Sequence, residues 1–287
     1  MPRVSVVLTT YNRAGLLSST IEGVLAQTYG DFELLLMDDC STDETPQIAR
    51  RYEKQDSRVV YVRHSKNLGM PGNLNAGLKL AAGEYIANLH DGDVYSQHLL
   101  ERWSSALDRH PNAAFVFNAY RHVDECHEER FVETLDLPEA VPGRILIETL
   151  YFRRWHFGSP VWGTVMARRA AYEQEGVFDS RFGFVADVDM WMRLAEKFEV
   201  VYINEPLISL PSKKAVPREI TVTSLSTLTT LQHMFYEARL RHYRNDFYRR
   251  IAEVARHFCY CGMAMPAYLA VHIKRKIDVA IGRRKRL

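Results

Sequence analysis

The sequence predicts an α/β fold, a mostly parallel sheet with helices on both faces, followed by a helical appendage. Three observations carry this. Short β-branched runs alternate with stretches of helical period through the first 120 residues. The helical stretches carry their own start and stop residues, and polar residues gather where the strand-like runs end. Val4 to Thr9 is the first predicted strand, and Leu17, Ile21, Val24 and Leu25 share one face of the helix after it. Phe32 to Met37 is the second strand. Ser41 and Glu44 have the spacing of a capping box, in which each side chain takes up the other's free backbone N–H, and Pro46 suits the first turn of the helix they open. Val59 to Val62 is a third strand, Asn73 to Ala82 a helix stopped by Gly83, and Tyr85 to Leu89 a fourth strand.

The second half is less regular. Residues 121 to 160 are polar and aromatic without clean alternation, Gly163 to Ala167 reads as a strand and Val185 to Lys197 as a helix. Helical spacing returns at Leu225, Leu228, Leu231, Phe235 and Ala238 and continues through Phe247, Ile251, Val254 and Phe258. The stretch PSKKAVPRE separates that series from the body. The expected organisation is a domain over 1–215, with halves of about 1–95 and 96–215, and a helical extension over 216–287.

Composition sets the class. With 47% hydrophobic and 25% charged residues over 287 positions, the chain is an ordered globular protein. Cys40, Cys126, Cys259 and Cys261 lack metal-ligand spacing and the density of a disulfide scaffold, which predicts free thiols in a reducing compartment. The N-terminus lacks a charged segment followed by a signal-type apolar core, and no window reaches the roughly 18 to 20 apolar residues that span a bilayer. A cytoplasmic location is expected, and no nucleic-acid partner. The last fourteen residues hold seven Lys/Arg and one Asp, so they carry +6 against −4 for the rest.

Ligands of an open parallel sheet bind beyond the carboxyl ends of its strands. Three predicted strand ends carry polar clusters: Thr9, Thr10, Tyr11 and Asn12; Asp38 and Asp39; and His90, Asp91 and Asp93. An isolated Asp-x-Asp is weak evidence, because turns use Asp and Gly freely, and either Asp38 or Asp39 also reads as a helix N-cap. Three clusters along one edge are harder to read as turns. A hard divalent cation, Mg²⁺ or Mn²⁺, takes one or two carboxylates and completes its shell with water and phosphate oxygens, which suits Asp91 and Asp93. For His90 a packed or hydrogen-bonded imidazole is the preferred reading. A dinucleotide-dependent oxidoreductase would need G-x-G-x-x-G after the first strand, where this chain has TTYNRAG. A phosphohydrolase with an Asp nucleophile stays open on the carboxylates alone.

Together, VSVVLTTYNR, QTYGDFELLLMDDCSTDET, NLGMPGNLNAGLKLAAGEYIANLHDGD and FDSRFGFVADVDMWMRL resemble glycosyltransferase family two, the inverting GT-A nucleotide-sugar transferases, over about residues 3 to 210. The resemblance implies that Thr9, Tyr11 and Asn12 line the nucleotide pocket, that Asp39 bonds the base as the family does with uracil, and that Asp38 supports the loop. It places Asp91 and Asp93 at the metal and diphosphate motif, although the family more often has three acidic residues in four where this chain has His90-Asp91-Gly92-Asp93. Asp187 falls at the catalytic base, with Ala186 where the family usually has Glu. The competing role for Asp187 is a helix N-terminal charge, and for Asp189 a solvated one. Trp162, Gly163 and Thr164 fall at the loop the family lays under the donor sugar, core packing being the alternative for Trp162. Arg193 is spaced to pair with either carboxylate.

The implied activity is metal-dependent inverting transfer from a nucleoside-diphosphate sugar, UDP favoured, to a hydroxyl of a saccharide or lipid-linked acceptor. A module that binds nucleotide sugar or a partner without turnover is the alternative. Met265, Leu269, Ile273, Ile277 and Ile281 lie at helical spacing among basic residues. That pattern suits an interfacial membrane anchor over 263–287, a solvated end, or a helix docked on the body or on a second subunit.

Overall fold

A computed structural model describes residues 1–124, 126–148 and 163–211, together with 234, 236–238, 240–246 and 249–251. The first half is built on four strands, β1 (Val4–Thr10), β2 (Phe32–Asp38), β3 (Val59–Arg63) and β4 (Tyr85–His90), parallel and in the spatial order β3-β2-β1-β4. β1 is buried on both faces, as expected of a parallel strand covered by helices on each side. Val4, Val6 and Leu8 pack with Leu34 and Leu36 against Leu17, Ile21 and Val24 of α1 (Ala14–Leu25) and Ala49 and Tyr52 of α2 (Thr45–Gln55). On the other face lies α3 (Gly69–Leu80), whose Gly77 approaches so closely that a Cβ there would stand 2.5 Å from Val7 Cγ1.

Two local expectations are corrected. The capping box does not form: Glu44 occupies the cap position of α2 without a side-chain bond. Asp43 serves instead, its Oδ1 accepting the Thr45 N–H at 3.0 Å and its Oδ2 the Ala14 N–H at 3.0 Å, so one carboxylate ties the starts of α1 and α2 together. Ser41 is drawn away to accept the Asn12 N–H. Likewise α3 starts at Gly69 rather than Asn73 and ends at Leu80. Pro71 falls in the first turn, where a proline lacks only an N–H that would have no intrahelical partner.

The second half adds β5 (Val94–Tyr95), α4 (Leu99–Arg109), β6 (Ala113–Val123), β7 (Glu129–Glu133), β8 (Ala140–Pro142), α5 (Gly143–Leu146), β9 (Val165–Arg168), α6 (Arg169–Glu175), a 3-10 turn at Ser180–Val185, α7 (Ala186–Lys197) and β10 (Glu199–Pro211). β9 runs antiparallel between β4 and β6, and β6 is parallel to β10. The sheet is thus parallel through β4 and mixed beyond it. A second compact unit spans Pro217–Leu287. Its described residues are helical at 234, 236–238, 240–242 and 249–251, while Leu225, Leu228, Leu231, Phe235, Phe247, Val254, Phe258 and the 263–287 segment lie outside the described residues. Cys40 and Cys126 are free thiols, and Cys259 and Cys261 fall outside. Among the described residues no helix is long and apolar enough to cross a membrane.

Gly83 fixes where β4 enters the sheet. Its N–H donates to Ser5 Oγ at 2.8 Å, and a Cβ on it would lie 2.6 Å from the Ser5 backbone nitrogen and 2.9 Å from the Tyr85 carbonyl oxygen. Backbone cannot yield as a side-chain tip can. Gly83→Ala is therefore expected to cost about 1–3 kcal/mol, as overpacking does. Gly23→Ala, within α1 where a Cβ meets nothing inside 4 Å, is expected to gain roughly 0.5–1 kcal/mol. Denaturant unfolding of both variants checks the pair, and equal stability of the two would contradict the packing account.

Candidate active site

Strand register assembles the site. Thr10 pairs with Asp38 across β1 and β2, Asp38 with Arg63 across β2 and β3, and Thr9 with His90 across β1 and β4. The three polar clusters therefore sit side by side on one edge of the sheet.

Asp38, fully buried, organises the loop after β2. Its Oδ1 accepts the Ser41 N–H at 2.8 Å, its Oδ2 accepts the Tyr61 hydroxyl at 2.7 Å, and Arg63 Nε lies 3.5 Å from Oδ2. Burial, and then the bond to Asp38, push the Tyr61 phenol well above its ordinary range, so it stays a donor. Arg63 also donates to the Ser41 carbonyl at 2.7 Å. Asn12 clasps the same loop from the other side: its N–H reaches Ser41 Oγ at 2.9 Å and its Oδ1 accepts the Thr42 N–H at 2.8 Å. Its φ of 52° is left-handed, a conformation asparagine tolerates better than most residues. Asp39 Oδ1 accepts the Leu68 N–H at 2.6 Å, tying this loop to the start of α3. Thr9 is half-buried and Tyr11 is 47% exposed at the lip.

The turn after β4 is held as firmly. The buried Tyr95 hydroxyl accepts the His90 N–H at 2.9 Å and donates to the His90 carbonyl at 2.5 Å. Gly92 has φ of 93°, a value glycine adopts without strain, and its N–H donates to Thr20 Oγ1 on α1 at 3.0 Å. The carboxylates on either side are thereby presented at the strand edge. Asp91 Oδ1 lies 3.8 Å from Arg13 Nε, and Asp93 Oδ2 accepts the Thr164 hydroxyl at 3.4 Å. Among the described residues no three His, Cys, Asp or Glu side chains converge as a metal cage. Two carboxylates on one tight turn fit a hard cation whose shell is completed by phosphate and water.

Asp187 reaches this edge from the second half. It lies in the first turn of α7, where its Oδ1 accepts the Val188 N–H at 2.8 Å. Its Oδ2 points toward Gly163, on which a Cβ would lie 2.9 Å away. The same Cβ would lie 2.6 Å from His90 Nε2, so the imidazole, the carboxylate and the glycine converge. Register explains this: the last rung of β4 and β9 pairs Asn88 with Val165, and two residues further Gly163 comes opposite His90. Burial pushes the Asp187 carboxyl above the usual carboxylate range, with nearby His90 opposing the shift. A carboxyl so placed is a proton acceptor of raised basicity.

Asp189 is corrected from a solvated charge to a buried partner of Arg193, whose Nε lies 2.8 Å from Oδ2 while its other nitrogens donate to the Glu175 and Val177 carbonyls. Arg193 thus pairs with Asp189, which is engaged as a structural anchor. Thr164 is buried beside Asp93, and Trp162 lies outside the described residues. The supports Thr20, Asp43, Tyr61 and Tyr95 were not among the expected site residues. Thr20 and Tyr61 are distant in sequence from what they hold, and Asp43 joins its neighbour Thr45 to the distant Ala14.

Comparison with known proteins gives the family and the fold. Residues 5–176 match the family described as Glycosyl transferase family 2. EpsE from Bacillus subtilis (strain 168), named as a glycosyltransferase, is 31% identical over 199 residues, covering 68% of each chain. Among solved structures, S. aureus TarS 1–349 in complex with UDP superposes with a TM-score of 0.64 at 19% identity, over 83% of this chain and 65% of that one. The mannosyltransferase PcManGT from Pyrobaculum calidifontis, in complex with GDP-Man and Mn²⁺, gives 0.56 at 18%, over 98% and 75%. At such identities the likeness is one of fold, and this chain spans less than two thirds of the TarS chain. The family match, the EpsE relative and the likeness of fold establish that the chain belongs to glycosyl transferase family 2 and has the GT-A fold of a glycosyltransferase.

Proposed function

We propose that the chain transfers a sugar, with inversion, from a nucleoside-diphosphate sugar to an acceptor hydroxyl, UDP being the favoured nucleotide. The observation that carries this reading is Asp187: a carboxylate of raised basicity on the same strand edge as Asp91 and Asp93, with one oxygen engaged by its own helix and the other turned toward Gly163. The nucleotide belongs over the loop that Asp38 and Asn12 hold, with Thr9, Tyr11 and Asp39 around it. Asp91 and Asp93 would hold Mn²⁺ or Mg²⁺, which supplies positive charge to the departing diphosphate. A solved fold relative with Mn²⁺ and GDP-Man supports that choice of ion.

In the reaction, Asp187 Oδ2 takes the proton of the acceptor hydroxyl. The acceptor oxygen forms its bond to the anomeric carbon as the bond to the diphosphate oxygen breaks, and the nucleoside diphosphate leaves with the electron pair. A single displacement of this kind inverts the anomeric centre. The acceptor in this reading is a saccharide or lipid-linked saccharide of a surface polymer. The basic segment 263–287 would hold the protein against anionic lipid beside such an acceptor, each Lys or Arg near the surface adding about 1 kcal/mol.

Asp187→Asn is expected to slow transfer at least ~100-fold while leaving UDP affinity within a few-fold, the usual contribution of a positioned base. Because burial raises the folded carboxyl above its unfolded value, its ionised form costs stability at neutral pH. The same variant should therefore melt higher than wild type at pH 7, with the gain shrinking as pH falls through the raised folded value and gone once the ordinary carboxylate range is reached. Near-normal turnover, or a lower melting point at pH 7, would contradict the assignment.

UDP should bind more tightly with Mn²⁺ than with EDTA, and Asp93→Ala should remove that difference in calorimetric titration. An unchanged metal effect in both Asp91→Ala and Asp93→Ala would reject the site. Sedimentation with anionic liposomes should fall for a chain ending at Gly262 and fall with salt. Equal sedimentation of the short and full chains would leave the tail without a membrane role.

A further inference from the structure

The turn that bears Asp91 and Asp93 has a cation against it. Asp91 Oδ1 lies 3.8 Å from Arg13 Nε, with the carboxylate 13% exposed and the arginine side chain 42% exposed. The two residues come from different elements: Asp91 follows β4, and Arg13 occupies the cap position of α1. Both backbones are held in place. The Arg13 N–H donates to Thr45 Oγ1 at 3.2 Å, and its carbonyl accepts the Leu16 and Leu17 N–H groups at 2.9 and 3.0 Å. Across from it, the Gly92 N–H donates to Thr20 Oγ1 of α1. Arg13 thus has a fixed root beside the turn and a long side chain whose guanidinium reaches both Asp91 and solvent. An ion pair as exposed as this one shifts an equilibrium only a few-fold, so little holds the guanidinium to one partner.

We propose that Arg13 couples cation binding to diphosphate binding: it neutralises Asp91 while the cation is away, and turns to the diphosphate oxygens when cation and nucleotide arrive together. The proposal rests on the transfer reading above and deepens it. Charge drives the exchange. With a dication on Asp91 and Asp93, a guanidinium left against the same carboxylate faces a like charge a few ångströms away, and its place there becomes unfavourable. A diphosphate brings negative charge to the same turn, and guanidinium takes phosphate oxygens through paired N–H groups. The cation alone must therefore displace Arg13 with nothing to receive it, whereas cation and diphosphate together give Arg13 a new partner. Each ligand then strengthens the other, by the same factor in either order of binding. A nucleoside without phosphates takes no part in the exchange.

The test uses the full chain and the variants Arg13→Gln and Arg13→Lys. Mn²⁺ binding is followed by the electron paramagnetic resonance signal of the free ion, without and with UDP, and UDP and uridine are titrated by calorimetry in the presence of Mn²⁺. Arg13→Gln is expected to bind Mn²⁺ alone about two- to fivefold more tightly than wild type, the effect of removing a partly exposed pair. The same variant should bind UDP with Mn²⁺ at least about tenfold more weakly, as loss of a charge-assisted bond produces, and uridine within about twofold. The gain in Mn²⁺ affinity that UDP confers should shrink to match. Arg13→Lys, which keeps the charge and loses the fork, should fall between the two for UDP. Unchanged or weaker binding of Mn²⁺ alone in Arg13→Gln would overturn the proposal, and so would unchanged UDP affinity. Equal weakening of UDP and uridine would also overturn it, because the effect would then lie in the fold or at the base and not at the diphosphate. Failure of the wild type to bind UDP with Mn²⁺ would overturn the transfer reading itself, whereas normal wild-type binding with insensitive variants removes only the role of Arg13.

Discussion

The parallel register of β1 between β2 and β4 is the constraint on which the remaining structure depends. It sets Thr10 beside Asp38 and Thr9 beside His90, so three chain segments separated by about 30 and 50 residues end at one height. A slip of one residue in either pairing would turn the strand's buried side chains to the opposite face. The apolar packing of Val6, Leu8, Leu34 and Leu36 therefore protects the geometry of the polar edge. Stability and function share one register here, and the site rests on regular strands rather than on long loops.

The same logic extends into the second half through β9. By pairing antiparallel with β4, β9 carries Gly163 and Thr164 back to the edge where β4 has just delivered His90, Asp91 and Asp93. The chain then turns through α6 and the 3-10 segment and returns Asp187 to the same place at the start of α7. Further along α7, Arg193 is locked to Asp189 and to two carbonyls, which fixes the orientation of the helix bearing Asp187. Two halves of unlike topology thus bring the Asp91–Asp93 turn and Asp187 to one edge.

Much of this was legible in the sequence, for physical reasons that differ along the chain. β1, β2 and β4 are buried on both faces and read as unbroken apolar runs, β3 is an edge strand whose β-branched run still reads as a strand, and Val4, Phe32, Val59 and Tyr85 were placed as the first strand residues that the structure shows. The start of α3 was missed because Pro71 and Gly72 signal a break, whereas the first helical turn tolerates both. The Ser41 box failed for a tertiary reason: Asn12, 29 residues away, uses the hydroxyl that a local cap would need. β6 and β10 went unread because Asn118, Arg121 and His122 interrupt one run, and Asn204, Glu205 and Pro206 shift the register of the other. Of the candidate site, Asp187 was singled out through motif resemblance and not through periodicity. The convergence of Gly163 with His90 and Asp187 could not be read from spacing, since it depends on how β9 pairs with β4.

The central claim is that one strand edge carries both the donor's diphosphate and the base. Anomalous diffraction from crystals grown with UDP and Mn²⁺ tests it most directly. The account predicts a manganese peak in coordination contact with the carboxylate of Asp91 or Asp93 and with the UDP phosphates, and Asp187 Oδ2 facing the open space where the sugar would extend from the diphosphate. A peak bound at Asp38 and Asp39 instead, or a diphosphate whose open side faces away from Asp187, would contradict it.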